Sequence, residues 1–172
     1  MDKVTLDRIQ TLHPSIRAEV LSIYSNEICP ALSGRAICRF AFTLRTFAEQ
    51  DALFAQGRTV LKNKNGKKLS IVTNAKGGQS YHNYGLAIDI VLIIDGKEAS
   101  WDQVKDFDGD KVADWMEIVA IFKKHGYEWG GDWKGTLKDG PHFQKTFGYS
   151  VKQLLEKYNK KEFIEGTIYV KL

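Results

Sequence analysis

The run Leu86-Ala-Ile-Asp-Ile-Val-Leu-Ile-Ile94 constrains this chain more than any other stretch. Nine residues rich in β-branched side chains, closed by Asp95-Gly96, read as a largely buried strand ended by a turn. Asp89 sits inside it. A lone ionised carboxylate in such a strand would lose several kcal/mol of hydration, so it needs a proton, a cationic partner or a metal. His82 lies just upstream, across Gly85, and is a second contributor to the same end of the strand.

The flanking segments suggest a mixed α and β chain. Leu6, Ile9 and Leu12 are at helical spacing up to His13-Pro14, with His13 expected as a turn residue. Ser15 is expected to cap a second helix through Ile16, Val20 and Ile23, ending near Pro30. Residues 36–44 alternate as a strand that delivers Arg45. Thr46 and Glu49 then form a capping box for a helix stopped by Gly57. Leu69–Thr73 reads as a short strand, Trp115–His125 as a helix stopped by Gly126, Val151–Tyr158 as a helix and Thr167–Leu172 as a final strand.

With 172 residues and 43% hydrophobic side chains the chain can build one core without covalent staples, so residues 1–172 are expected to form a single domain. The two cysteines, Cys29 and Cys38, make no disulfide framework, and the first residues have no signal-peptide pattern. Synthesis in a reducing cytoplasm is expected, with release by a separate route if the protein acts outside. No run approaches the roughly 18 apolar residues of a membrane span. The net charge of +4 favours anionic polymers such as nucleic acid or cell wall. Nucleic acid is not expected as a partner, because neither a basic helix nor an interleaved aromatic stripe accompanies that charge.

Asp139-Gly140-Pro141-His142 must be a turn or extended bend, since Pro141 restricts Gly140. His82, Asp89 and His142 together supply two imidazoles and a carboxylate, the donor types zinc accepts with a fourth position left for water. Asp139 is then a carboxylate beyond the donor set, suited to moving a proton. Spacing alone also leaves open an ordinary polar histidine at His82 and an ordinary turn aspartate at Asp139.

Longer motifs narrow the reading. Ser80-x-His82-x2-Gly85-x-Ala87-x-Asp89 followed by Asp139-x2-His142 resembles the metal motif of the M15 peptidases, a family of D-alanyl-D-alanine carboxypeptidases and L-alanyl-D-glutamate endopeptidases. The stretch Leu44-Arg45-Thr46-Phe47-x-Glu49-Gln50-Asp51, with Val72-Thr73-Asn74-Ala75 and Trp129-Gly130-Gly131-Asp132-Trp133, resembles the L-alanyl-D-glutamate branch, phage endolysins included. The resemblance implies an α+β domain, Hedgehog/DD-peptidase-like, with a small, mostly antiparallel sheet flanked by helices. It implies zinc on His82, Asp89 and His142, Asp139 as general base, Arg45 on the substrate carbonyl, and Ser80 and Gln50 as further polar contacts that otherwise brace or pack. Many relatives use glutamate as the base, so Asp139 is a shorter departure. The implied activity is cleavage of the L-Ala to D-Glu bond of peptidoglycan stem peptides by a monomer. The alternatives are a D-alanyl-D-alanine carboxypeptidase and a catalytically silent wall-binding module.

A second acidic pattern stands apart. Asp106, Asp108, Asp110, Asp114 and Glu117 occupy positions 1, 3, 5, 9 and 12 of a twelve-residue window, the ligand spacing of an EF-hand calcium loop. Position 6, ordinarily glycine, is Lys111. The two readings are a calcium site and a solvated acidic loop leading into the helix at Trp115.

Overall fold

The computed structural model describes residues 1–135 and 138–172. In chain order its helices are α1 (Lys3–Ile9), α2 (Pro14–Ile23), α3 (Cys29–Ala31), α4 (Phe47–Ala55), α5 (Asp114–Lys124) and α6 (Val151–Asn159), with a π turn at Tyr24–Ile28. The strands are β1 (Ala36–Phe42), β2 (Ala87–Ile94), β3 (Glu98–Ser100), β4 (Glu128–Trp129) and β5 (His142–Gln144). The chain forms two compact units, one of residues 1–43 and 86–145, the other of residues 44–85 and 146–172.

The first unit holds the sheet, in the order β1-β2-β5-β4 with β3 pairing β2, and every pairing is antiparallel. This matches the small antiparallel sheet expected from the sequence. Apart from Asp89, every residue of β2 is buried, as its unbroken apolar run requires. Rings of Tyr24, Phe40, Phe122 and Phe143 follow one another through the core at centroid distances of 5.5, 6.2 and 4.7 Å. Helix α5 contributes Trp115, Ile118, Val119 and Phe122 to the same core.

In the second unit, α4 begins with the expected capping box: the Thr46 hydroxyl accepts from Glu49 N–H, and Glu49 accepts from Thr46. Phe47 on α4 packs on Tyr158 of α6 at 4.5 Å and meets Tyr84 edge-on at 6.1 Å. Loop 77–80 is tied to these elements. Gly77 N–H donates to Asp51, and a side chain on Gly77 would collide with the Phe47 carbonyl at 2.7 Å.

Several local expectations are corrected. The cap of α2 is His13, whose Nδ1 accepts from Ser15 N–H at 3.2 Å, and not Ser15. Strand β1 ends at Phe42 and not at residue 44, and a bulge within it, between Phe40 and Phe42, turns Phe42 outward. Leu69–Thr73 and Thr167–Leu172 are not strands. Among the described residues neither segment joins a ladder: Ile71, Val72 and Ile168 are exposed, and the isolated bridges Lys62 to Lys68 and Phe163 to Val170 form instead. Strands β3, β4 and β5, unread in the sequence, form by pairing to β2 and to each other.

Candidate metal centre

Two local constructions present the predicted donors. The first is the β2–β5 pairing, whose register sets Asp89 directly opposite His142. Ile90 N–H donates to the Pro141 carbonyl, which fixes the turn entering β5. His142 Nδ1 lies 3.1 Å from Asp89 Oδ1, with the two side chains 8% and 19% exposed.

His142 Nε2 faces Gln144 Oε1 at 3.0 Å. The Gln144 amide is oriented by Glu128, whose carboxylate accepts from Gln144 Nε2 at 2.8 Å. Since Glu128 only accepts there, Gln144 turns its carbonyl oxygen to the imidazole, and His142 Nε2 must carry the hydrogen. Nδ1 is therefore the nitrogen whose lone pair is available to a metal. A metal-bound histidine is ordinarily held in this way by an acceptor on its other nitrogen. Burial works against a charged His142, but Asp89, Gln144 and the charge of Asp139 outweigh it and raise its affinity for a proton above the ordinary.

The second construction is the one-turn 3-10 helix Tyr81–Tyr84 that carries His82. Ser80 and Asn83 form a capping box around it, and Gly85 closes it in the left-handed conformation at φ 68°. Asn83 Oδ1 accepts from Gly78 N–H and Ser80 N–H, and its amide donates to the Arg45 carbonyl at 2.9 Å. The Arg45 N–H donates to the His82 carbonyl at 3.0 Å. Ser80 thus braces the turn that bears His82, its hydroxyl accepting from His82 N–H.

His82, Asp89 and His142 each offer one donor atom, and these atoms lie within 4.8 Å of one another, so the three could hold one metal ion. Two imidazoles and one carboxylate fit zinc.

The other predicted residues fall as follows. Asp139 is exposed, its N–H donating to Gly130 O and its carbonyl accepting from His142 N–H. Gly130 permits this closeness, because an added Cβ would stand 2.4 Å from the Asp139 carbonyl oxygen. Trp129 Nε1 donates to the Gly140 carbonyl at 2.7 Å, and the Trp133 ring lies 5.2 Å from that of His142. The aromatic and glycine motif at 129–133 therefore supports the turn that carries Asp139 and His142. Gln50 is fully buried. Its carbonyl accepts from Arg45 Nη1 at 2.9 Å and its amide donates to the Ala75 carbonyl, so it holds Arg45 from within the fold. Gln144, Glu128 and Asn83 were not singled out by sequence. For Gln144 a signal existed, since residues two apart on a strand share a face.

Residues 73–145 match the family model described as D-alanyl-D-alanine carboxypeptidase, of the M15 peptidases. That segment of the chain is similar to the M15 peptidases. The matched segment contains Ser80, His82, Asp89, Asp139 and His142, while Arg45 and Gln50 lie before it. Over 100 residues, 58% of this chain and 55% of the relative, it is 50% identical to peptidoglycan L-alanyl-D-glutamate endopeptidase CwlK of Bacillus subtilis. Over 74 residues, 42% of this chain and 24% of the relative, it is 40% identical to the L-alanyl-D-glutamate peptidase of Listeria phage A118. The chain thus spans about half the length of CwlK and about a quarter of the phage protein. Its fold is similar to the crystal structure of the Serratia marcescens L-Ala D-Glu endopeptidase ChiX, with TM-score 0.54 and 25% identity over 86% of this chain and 90% of that one.

Proposed function

We propose that this chain is a zinc peptidase of bacterial peptidoglycan that hydrolyses the L-Ala to D-Glu bond of the stem peptide. The observation that carries the reading is the donor set of His82, Asp89 and His142 within a segment that matches a family of zinc-dependent peptidases. The choice of bond is supported by what CwlK, the phage peptidase and ChiX are named for.

Bound zinc would supply Lewis acidity, which brings a coordinated water to a pKa of about 7 and polarises a carbonyl. The chain's own groups do the rest. Asp139, on a turn fixed to Gly130 and to His142 N–H, accepts the proton of the attacking water and passes it to the leaving amine. Arg45, oriented by Gln50, donates to the carbonyl oxygen as negative charge develops there. Gln144 and Glu128 hold the hydrogen of His142 on Nε2, so that Nδ1 would be the atom to ligate zinc.

The description of the matched family favours one second reading, removal of a terminal D-alanine. Digestion of purified peptidoglycan separates the two. The proposed activity leaves fragments with a new amino-terminal D-glutamate and stops when a chelator removes zinc. Release of free D-alanine alone would support the carboxypeptidase, and binding without any new fragment would support a silent wall-binding module.

No helix among the described residues is long and apolar enough to cross a membrane. The phage relative supports a lysin-type role in which the protein, made in the cytoplasm, reaches the wall through a separate release pathway.

A further inference from the structure

The loop that leads into α5 gathers more negative charge than its own hydrogen bonds account for. Asp106, Asp108 and Asp110 each place one carboxylate oxygen within 4.8 Å of the others. Loop N–H groups turn inward to them. Asp106 accepts from Asp108, Gly109 and Lys111, Asp108 accepts from Asp110, and Asp110 accepts from Val112. These bonds curl the backbone but leave the like charges together.

Two carboxyls from the start of α5 face the same group, and each has an oxygen with nothing to bind. Asp114 is 0% exposed. Its Oδ2 accepts from Phe107 N–H at 2.7 Å, whereas its buried Oδ1 has no hydrogen-bond partner. Oε2 of Glu117 is likewise buried and without a partner. Burial, then repulsion from Asp108 and Asp106, pushes the Asp114 carboxyl up. Burial, then Asp110, Asp108, Asp114 and Asp106, pushes Glu117 up to about 7. Buried acceptors of this kind are costly unless a cation or donor satisfies them.

We infer that this loop binds one divalent cation of the calcium class, with Asp106, Asp108, Asp110, Asp114 and Glu117 as its carboxylate ligands. The donors are all hard carboxylate oxygens, which suits calcium with its six to eight oxygen ligands better than magnesium, which demands a tight octahedron. Lys111 does not break the pattern. It adopts φ 78°, the left-handed conformation glycine supplies at that place in an EF-hand loop. The cation ties the loop to the first turn of α5. Through Asp108, which accepts from Ser33 Oγ at 3.3 Å, it also ties the loop to the segment after α3. Its effect is on the stability of the first unit, and it stands apart from the proposed peptidase chemistry.

Calorimetric titration of the zinc-loaded chain with calcium chloride tests the inference. We expect one calcium per chain, and an unfolding temperature higher by about 5 to 10 °C at a hundredfold excess over Kd. Glu117→Gln and Asp110→Asn should each weaken binding by an order of magnitude or more and remove most of that shift. Asp110 is exposed, and Glu117→Gln relieves repulsion, so both variants should fold without calcium. Absence of heat and of any thermal shift at millimolar calcium would overturn the site, as would unchanged binding in both variants.

Discussion

The backbone N–H of Arg45 donates to the carbonyl of His82 at 3.0 Å, so the predicted oxyanion donor and the predicted loop-borne zinc ligand share one hydrogen bond. Asn83 reinforces this link. It is 8% exposed and takes part in three further contacts, with Gly78 N–H, Ser80 N–H and the Arg45 carbonyl. Asn83→Ala leaves these groups without their partner inside the fold. It should destabilise the protein by about 2 to 3 kcal/mol in urea unfolding and weaken zinc binding in a competition assay, although Asn83 is not itself a ligand.

Gln144 tests the orientation of His142. With Gln144→Leu, the Nε2 hydrogen of His142 loses its acceptor and Glu128 loses its donor. Zinc affinity should fall by about 10- to 100-fold while the far-UV circular dichroism stays unchanged. Wild-type zinc affinity in this variant would mean that the imidazole is held by other contacts.

Much of this arrangement was legible where local chemistry is strong. The capping box of Thr46 and Glu49, the apolar run of β2 and the amphipathic pattern of α5 each declare an element within one short window, and each is found. Strand β5 has three residues, two of them polar, and no periodicity to read; it exists because Ala87–Asp89 pairs with it. The converse error has the same cause, since Ile71, Val72 and Ile168 have strand propensity but no partner strand to pair with. The candidate metal donors could be named from motif, but not the direct opposition of Asp89 and His142, which is a property of register. For Gln50 the resemblance left a polar contact or a packing role open, and its amide is engaged inside the fold by Arg45 and Ala75.

Acid stability should report on Asp2, which caps α1 and pairs with Arg39 at 2.7 Å. Burial opposes its charge, but hydrogen bonds from Arg39 and from Thr5 outweigh it and hold the carboxyl below the usual range. A carboxyl lowered in the folded state contributes stability above its unfolded pKa, near 4, and loses it as pH falls through the folded value. Asp2→Asn should therefore cost about 1 to 2 kcal/mol at pH 7. The gap from wild type should stay constant down to about pH 5 and close below about pH 4. Thermal unfolding of both proteins across that range checks this, and a gap independent of pH would show that the charge contributes nothing.

The most direct test of the proposed chemistry compares zinc content and turnover on purified peptidoglycan in Asp139→Ala and His142→Ala. The account predicts that Asp139→Ala retains one zinc per chain and loses nearly all release of fragments bearing amino-terminal D-glutamate, whereas His142→Ala loses both. Near-normal turnover in Asp139→Ala, or full zinc content in His142→Ala, would contradict it.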